Sequence, residues 1–560
     1  MKKLCVLLGL CLAIACALLA QTDRGAITGT ISDASGALIP AAKITLTNPA
    51  TGFKTETVST ATGNYTLGGI PAGKYSLLVE STGFSRYEQT NIEVQVAGTT
   101  RVEVAMRVGA ATESVQVTAE ASLLKSEDGE VSFTVTGDQL NELPINFGIG
   151  AGAIRNPLSF AQMAPGASIN GWNNITINGA NGGFKILYEG QESSSSLDPR
   201  VSDESQPSVE SIQSFALQTS NFSAEFGTVG SGLFNFTSKS GTNQYHGSVY
   251  DYMQNTVFNS GLPFTDDGHG KHVRIVKHLG NGGFSIGGPV IIPKLYNGKN
   301  KTFFFFSWEK YRDRETLYNG ITTVPQSALA AGDFSSILGR NLATDFAGRP
   351  ILQNAIYDPN TTVLNAAGQR VLQVFPGNII PKGRIDPVSA KIIGLIPKPN
   401  IADTLVNNFV AQGAFYKLQL IPSIKLDHSF GNNVKVAGYY SWQDTDKSNG
   451  VDGLPEPLSQ VRIQVIRSKT MRFNYDQTLK PNLLLHMGAG YVRYNNPDTV
   501  PPESSGFDSK SLGIPMRLAR AFRDSEAAVW EGMFMAVSPL PWARAAAGFS
   551  SPTSRPQPLN

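Results

Sequence analysis

The chain has 560 residues, a formal net charge of +2, 16% charged residues, 56 glycines and 3 cysteines. That length points to two to four domains. The charge content falls below the quarter usual in soluble globular chains. The near-neutral balance excludes electrostatic binding to nucleic acid as a main role, and the glycine excess argues for an all-β or membrane-barrel chain over a cytosolic helical enzyme.

Lys2 and Lys3 precede an apolar run from Leu4 to Ala20, which reads as a secretory signal peptide spanning 1–20. Cleavage is expected before Gln21; the alternative is a lipoprotein cut before Cys16, with Ala13 standing where leucine is preferred. Cys5, Cys11 and Cys16 all lie in this segment, so the mature chain is expected to carry no thiol, disulfide or cysteine-based metal site. Its removal takes two lysines and leaves a mature charge of zero (+2 minus 2). No later stretch is apolar enough to cross a bilayer as a helix, so insertion would require a β-barrel.

Residues 21–109 alternate with a period of two. Ile27, Gly29 and Ile31 share a face, as do Ile44 and Leu46, Tyr65 and Leu67, Tyr75, Leu77 and Val79, and Val102, Val104, Met106 and Val108. Turn residues separate these runs at Asp33–Gly36, Asn48-Pro49, Gly63-Asn64 and Pro71–Gly73. Many short strands in so few residues predict a small β-sandwich. The segments Gly25-Ala26-Ile27-Thr28-Gly29-Thr30-Ile31, Gly63-Asn64-Tyr65 and Ile70-Pro71-Ala72-Gly73-Lys74-Tyr75 resemble the carboxypeptidase regulatory-like domain. The resemblance implies a transthyretin-like or starch-binding-like sandwich and no peptidase activity. A spacer or docking role competes with carbohydrate binding, which kinship of fold alone suggests.

A linker at 110–124 holds the alternating strand Glu113, Ser114, Val115, Gln116, Val117. Such a strand can pair with a partner's sheet edge. It resembles the TonB-box-like segment of TonB-dependent receptors, which would make these residues contacts for a TonB-type energy transducer. The alternative is a further strand of the first domain.

Residues 125–240 resemble a receptor plug. Gly137–Pro144 reads as a short capped helix, and Ile175–Gly179 and Leu187–Gly190 stand where the family has two plug strands. Glu189 takes the place of the family's usual Asp before glycine. Ser211–Phe215 and Gly230–Lys239 complete the pattern.

Residues 241–515 read as part of an outer-membrane β-barrel. Val434, Val436, Gly438, Tyr440 and Trp442 oppose Lys435, Ala437, Tyr439, Ser441 and Gln443. Ile424, Leu426 and Phe430 oppose Ser423, Lys425 and Asp427; Met471, Phe473 and Tyr475 oppose Arg472, Asn474 and Asp476. Leu483, Leu485, Met487, Ala489 and Tyr491 form another apolar row. This is the lipid-out, polar-in pattern of a membrane strand, although a soluble sandwich alternates in the same way. Gly287–Lys294 followed by Lys301–Glu309, Ala331–Ser335, and Pro376–Pro381 with Arg384–Pro387 resemble the Oar-like branch of TonB-dependent transporters.

The stretch 312–408 is expected to be a long external loop with a helical part near Val388–Leu395. Roughly eight strands are discernible where the family has about 22. Residues 516–560 change composition, with no Lys or Tyr, and read as an atypical, unstructured tail. A truncated receptor is the expectation, with a genuine short-barrel form as the alternative.

Three chemical motifs are weak. Gly283–Gly287 matches G-x-S-x-G but lacks the helix that a nucleophile elbow needs. Asp444–Gly450 misplaces the glycine of a calcium loop and reads as a hairpin tip. His269 and His272 beside Asp266 and Asp267 read as a solvated loop.

The fold class expected is therefore mainly β: an N-terminal sandwich, a plug and part of an antiparallel barrel. The expected function is that of a non-enzymatic receptor in the outer membrane of a Gram-negative-type bacterium, its first domain periplasmic. No cofactor, metal or nucleic acid is expected. The partners implied are a TonB-type transducer, outer-membrane lipid, and an extracellular siderophore, oligosaccharide or protein. The alternative is a secreted carbohydrate-binding or adhesin-like sandwich.

Overall fold

The computed structural model describes residues 24–96, 98–109, 114–118, 129–142, 157–169, 175–194, 205, 207–222, 226–227, 229–261, 271–272, 274, 276–402, 404–480, 483–505 and 507–513. The expected signal peptide and the stretch 516–560 lie outside these residues, as does Glu113.

The first domain packs two sheets face to face. Its strands are β1 (Gly25–Asp33), β2 (Lys43–Thr47), β3 (Lys54–Val58), β4 (Asn64–Ile70), β5 (Gly73–Glu80), β6 (Arg86–Val94), β7 (Thr99–Arg101), β8 (Val104–Met106) and β9 (Ser114–Thr118). One sheet runs β4-β1-β7, with β8 also on β1; the other runs β3-β2-β5-β6-β9. The alternating residues meet in one core that includes Ile27, Ile44, Tyr65, Leu77 and Val104. Val108, grouped with that face by periodicity, is 81% exposed because the strand has ended. The turns form where expected. Asp33 Oδ1 accepts from the Ser35 and Ala37 amides, and Asn48 Oδ1 from those of Ala50 and Thr51, satisfying the main chain locally.

The plug contains β10 (Val131–Thr136), β11 (Ala167–Ile169), β12 (Ile175–Ile177), β13 (Ala180–Asn181), β14 (Lys185–Tyr188), β15 (Gln191–Glu192), β16 (Ile212–Ser220) and β17 (Leu233–Ser238). A five-stranded sheet, β10-β16-β17-β14-β15, carries Phe215, Phe234 and Phe236 stacked on one another in the core. The short helix Gly137–Glu142 starts in a capping box. The Gln139 amide donates to Thr136 Oγ1 and the Thr136 amide to Gln139 Oε1.

An antiparallel wall follows: β18 (His246–Asn255), β19 (Lys277–Pro289), the small hairpin β20 (Ile291–Ile292) and β21 (Tyr296–Asn297), and β22 (Thr302–Thr322). Two hairpins intervene, β23 (Asn341–Thr344) with β24 (Pro350–Leu352) and β25 (Tyr357–Leu364) with β26 (Arg370–Val374). The wall resumes with β27 (Phe409–Phe430), β28 (Val434–Asn449), β29 (Arg462–Lys480), β30 (Leu483–Asn495) and β31 (Asp498–Thr499). Its order is β18-β19-β22-β27-β28-β29-β30, with β31 on β29. Among the described residues β18 and β30 have a neighbour on one side only, so the wall is an open, partial barrel.

Burial in the wall is the reverse of a soluble sandwich. Ser441, Gln443, Thr470, Arg472 and Asn474 are buried, whereas Leu426, Met471, Phe473, Met487 and Tyr491 are about half exposed. The apolar rows face outward. The polar rows face inward.

Two readings change. β22 continues to Thr322, so residues 312–322 are strand, with Asp313 inward and buried and Lys277 paired to Glu315 at 2.9 Å. The Pro, Asn, Gly and Asp content of 312–408 suggested loop, but its first residues continue a polar-in strand with Asp313 in the interior. Asp444 and Asp446 lie within β28 and flank Arg467 at 3.3 and 2.8 Å, so this is a charged strand rather than a hairpin tip.

Among the described residues, a second compact unit comprises 317–413, 450–461 and 500–513. It is built from the two hairpins and the helix Pro387–Leu395, whose Asp386 cap accepts from the Ser389 amide at 2.9 Å. Buried Asn378 ties its turns together. Its Oδ1 accepts from the Ile356 amide, and its Nδ2 donates to the Phe334 and Asn354 carbonyls. Arg384 holds Asp358 through two nitrogens.

A cation on the outward face should be costly. In chains refolded into lipid vesicles, Phe473→Arg is expected to lose about 2–4 kcal/mol at mid-depth, read from urea midpoints. Equal tolerance of arginine at 473 and at inward Thr470 would show that the outer face does not meet lipid.

Candidate functional site

The polar face of the wall receives one tight turn of the plug. β14 and β15 are joined by Glu189 and Gly190, with φ of 52° and 75°. Two successive left-handed residues make a type I′ hairpin turn, which normally takes Asn-Gly or Asp-Gly. Glu189 is held there by its side chain. Its Oε1 accepts from the Ser238 amide at 2.6 Å and the Ser238 hydroxyl at 2.7 Å; its Oε2 accepts from Lys425 Nζ at 2.9 Å. Lys425 also donates to the Ser238 carbonyl at 3.2 Å.

The wall grips the main chain of the same turn. Arg472 donates from Nε to the Tyr188 carbonyl and from Nη2 to the Glu192 carbonyl, both at 3.1 Å. Asn474 donates to the Glu189 carbonyl at 3.1 Å, and Gln191 donates to Asn474 Oδ1 at 2.7 Å. Gly488 and Gly490 provide the room: a Cβ at Gly490 would lie 2.2 Å from Gln191 Oε1, and one at Gly488 3.0 Å from its Nε2. Tyr188 meets Tyr439 edge to face at 4.7 Å. A polar cleft beside them is lined by Tyr188, Ser205, Tyr439, Gln443 and Thr470.

Burial alone would raise the Glu189 pKa, but the Lys425 ammonium and the Ser238 donors outweigh it and hold the carboxyl below its ordinary range. Burial pushes the Tyr188 phenol well above its usual value, so it stays neutral.

The candidate transducer strand lies elsewhere. Ser114, Val115, Gln116 and Val117 fall in β9, which pairs in parallel with β6 from Arg86↔Ser114 to Thr90↔Thr118. They form the edge of the first domain's five-stranded sheet. The weak motifs gather no site. Ser285 sits mid-strand in β19, its Oγ 2.9 Å from that of Ser248. Among the described residues no group of three or more His, Cys, Asp or Glu is arranged to hold a metal; His269, Asp266 and Asp267 lie outside them. Sequence reading marked Glu189 and Lys425 separately but not their meeting, because they are distant in the chain.

A plug turn held on the polar inner face of an antiparallel wall defines an outer-membrane barrel with an internal plug. The comparisons agree. Residues 237–539 match the family described as Outer membrane beta barrel domain, more than half of the chain, and the chain belongs to that family. Residues 26–107 match the Carboxypeptidase regulatory-like domain. The TonB-dependent transporter Oar of Myxococcus xanthus is 27% identical over 319 residues, covering 53% of this chain and 28% of that protein. The chain thus spans less than a third of that relative's length.

Solved structures are similar over part of the chain. The outer membrane transporter YddB of Escherichia coli matches at 10% identity and a TM-score of 0.36, covering 64% of this chain and 38% of that one. The ferric yersiniabactin uptake receptor FyuA of Yersinia pestis matches at 10% and 0.32, covering 67% and 50%. The named relatives are transporters and receptors, and the family places the chain in the outer membrane.

Removing the Glu189 carboxylate should be worse than removing the pair. Glu189→Gln leaves buried Lys425 uncompensated and is expected to cost about 3–5 kcal/mol, with Glu189→Gln/Lys425→Met recovering part of it. The folded pKa of Glu189 is depressed, so its stabilisation is complete above about pH 4.3 and is lost as pH falls through the folded value. Urea titrations from pH 7 to pH 3 should show this loss in the native chain and a shallower one in Glu189→Gln.

Proposed function

We propose that the chain is a TonB-dependent receptor-type protein that binds an extracellular ligand and moves it with energy from a TonB-type transducer. The observation that carries this reading is the plug turn at Glu189, seated on the inner wall by Lys425, Arg472 and Asn474. Among the described residues the plug is seated by hydrogen bonds, the Glu189–Lys425 ion pair and the Tyr188–Tyr439 ring contact, and it can shift without breaking a covalent bond.

The wall's connections support an orientation. The connections that follow β22 and β28 are long, whereas the turn 431–433 that follows β27 is short. Outer-membrane barrels place long loops outside and short turns in the periplasm. The first domain then lies in the periplasm, and the long loops meet the ligand, whether siderophore, oligosaccharide or protein. β9 is the transducer contact, through main-chain pairing by Ser114–Val117, with Glu113 beside it.

The carbohydrate-binding alternative gains no support from the first domain. Among its described residues the aromatic rings of Phe53, Tyr65, Tyr75, Phe84 and Tyr87 are all buried or half-buried, so no aromatic platform faces solvent.

The purified C-terminal domain of a TonB-type transducer should retain the full chain in detergent. Val115→Pro and Val117→Pro each remove a main-chain donor and should abolish retention. Undiminished retention by both variants would sink the β9 assignment, and a native chain that is never retained would sink the transducer reading.

A further inference from the structure

Among the described residues, the first domain is fastened to the short-turn end of the wall at three places. At the first, Arg24, just before β1, donates from Nη2 to Asp476 Oδ2 on β29 at 2.7 Å. Both side chains are largely shielded, at 7% and 12% exposure. His486 of β30 completes the group, its Nδ1 2.6 Å from Asp476 Oδ1. At the second, Leu484 of β30 sits in a notch at Gly68-Gly69. A Cβ at Gly69, where φ is 68°, would lie 2.0 Å from Leu484 Cδ2 and 3.3 Å from its Cγ. At the third, the Asn243 amide donates to the Ala50 carbonyl at 2.8 Å, and Asn243 and Asn300 exchange hydrogen bonds at 2.6 and 2.8 Å.

A small cleft lies between the two bodies, lined by Phe53, Gly69 and Pro71 on the sandwich and by Asn433, Thr478 and Leu484 on the wall. The large apolar side chains of the sandwich are gathered in its own core. Point attachment by one shielded ion pair, one leucine and a few amides differs from a fused hydrophobic interface, which would hold the domain permanently. Inter-domain contacts that are small and polar favour relative motion.

We propose that the sandwich is a releasable cap clamped on the short-turn end of the wall by Arg24–Asp476, Leu484 and Asn243, and that a pull on β9 opens this clamp. The second part rests on the reading of β9 as the transducer contact. β9 is hydrogen-bonded in register to β6 and belongs to the sandwich. The plug sheet begins only at Val131. Force on β9 passes through its ladder to β6, then to the sandwich, and so to the attachments.

The test is disulfide trapping in the full-length chain, with Cys5, Cys11 and Cys16 replaced by serine. Two pairs report independently: Gly69→Cys with Leu484→Cys, and Ala50→Cys with Asn243→Cys. The second pair keeps the test valid if cysteine strains position 69, and heat-modifiable migration verifies folding of each variant. Both pairs are expected to cross-link on mild oxidation. Adding Arg24→Glu should slow trapping about tenfold or more, since it buries two like charges together. Arg24→Asp with Asp476→Arg should restore it in part. Failure of both pairs to cross-link, or trapping unaffected by Arg24→Glu, overturns the clamp.

Adding the transducer's C-terminal domain should slow trapping severalfold. Transducer that binds but leaves trapping unchanged overturns the opening step. Transducer that does not bind at all overturns the β9 reading and the opening step with it, while the trapping yields still judge the clamp alone.

Discussion

The ion pair between Glu189 and Lys425 stands at the junction of the plug and wall, and most of the interior depends on it. A wall with polar residues inside and apolar residues outside cannot exist in water with its inner face empty and its outer face bare. Its outer rows need lipid, and its inner carboxylates, amides and cations need partners. The plug supplies those partners on the inner face. Lys425, Arg472 and Asn474 each donate to a single turn whose backbone is bent into an uncommon conformation.

The same constraint explains the chemistry of the turn. A glutamate is a poor choice for a left-handed position on backbone grounds alone. Here its longer side chain reaches both Ser238 and Lys425, so the local strain is offset by three charge-assisted hydrogen bonds. Gly488 and Gly490 on the facing strand complete the fit by leaving room for Gln191. The junction is therefore polar, specific and separable, which suits a plug that must be held firmly yet move. The sandwich repeats this logic at the turn end of the wall, with Arg24 and Asp476 in place of Lys425 and Glu189.

Much of the fold was legible because both strand classes follow a two-residue rhythm. Ile27, Ile44 and Tyr65 announced a buried face in the sandwich, and Val436, Tyr440 and Trp442 announced an apolar row in the wall. The row was read as facing lipid, and that reading holds, but alternation alone does not fix its direction. A sandwich and a membrane wall share the alternation, and only burial distinguishes them: Ser441 and Gln443 are inside and Met471 and Phe473 outside. The start of the stretch after Arg312 differs from the loop expected of its Pro, Asn, Gly and Asp content, because an inward-facing carboxylate such as Asp313 is at home in a polar lumen. The TonB-box-like strand was read two ways, and its pairing with β6 is a matter of long-range register that no local pattern specifies.

From its residues alone the chain declared its class, the order of sandwich, plug and wall, and the strands and turns of each, because alternation, turn chemistry and capping are properties of neighbours in the chain. The tertiary structure decided which face of the wall is buried, that Glu189 meets Lys425 and Arg24 meets Asp476, and where β9 docks. The two ion pairs join residues 236 and 452 positions apart, and the attraction that offsets the cost of burying their charges exists only once the chain has folded.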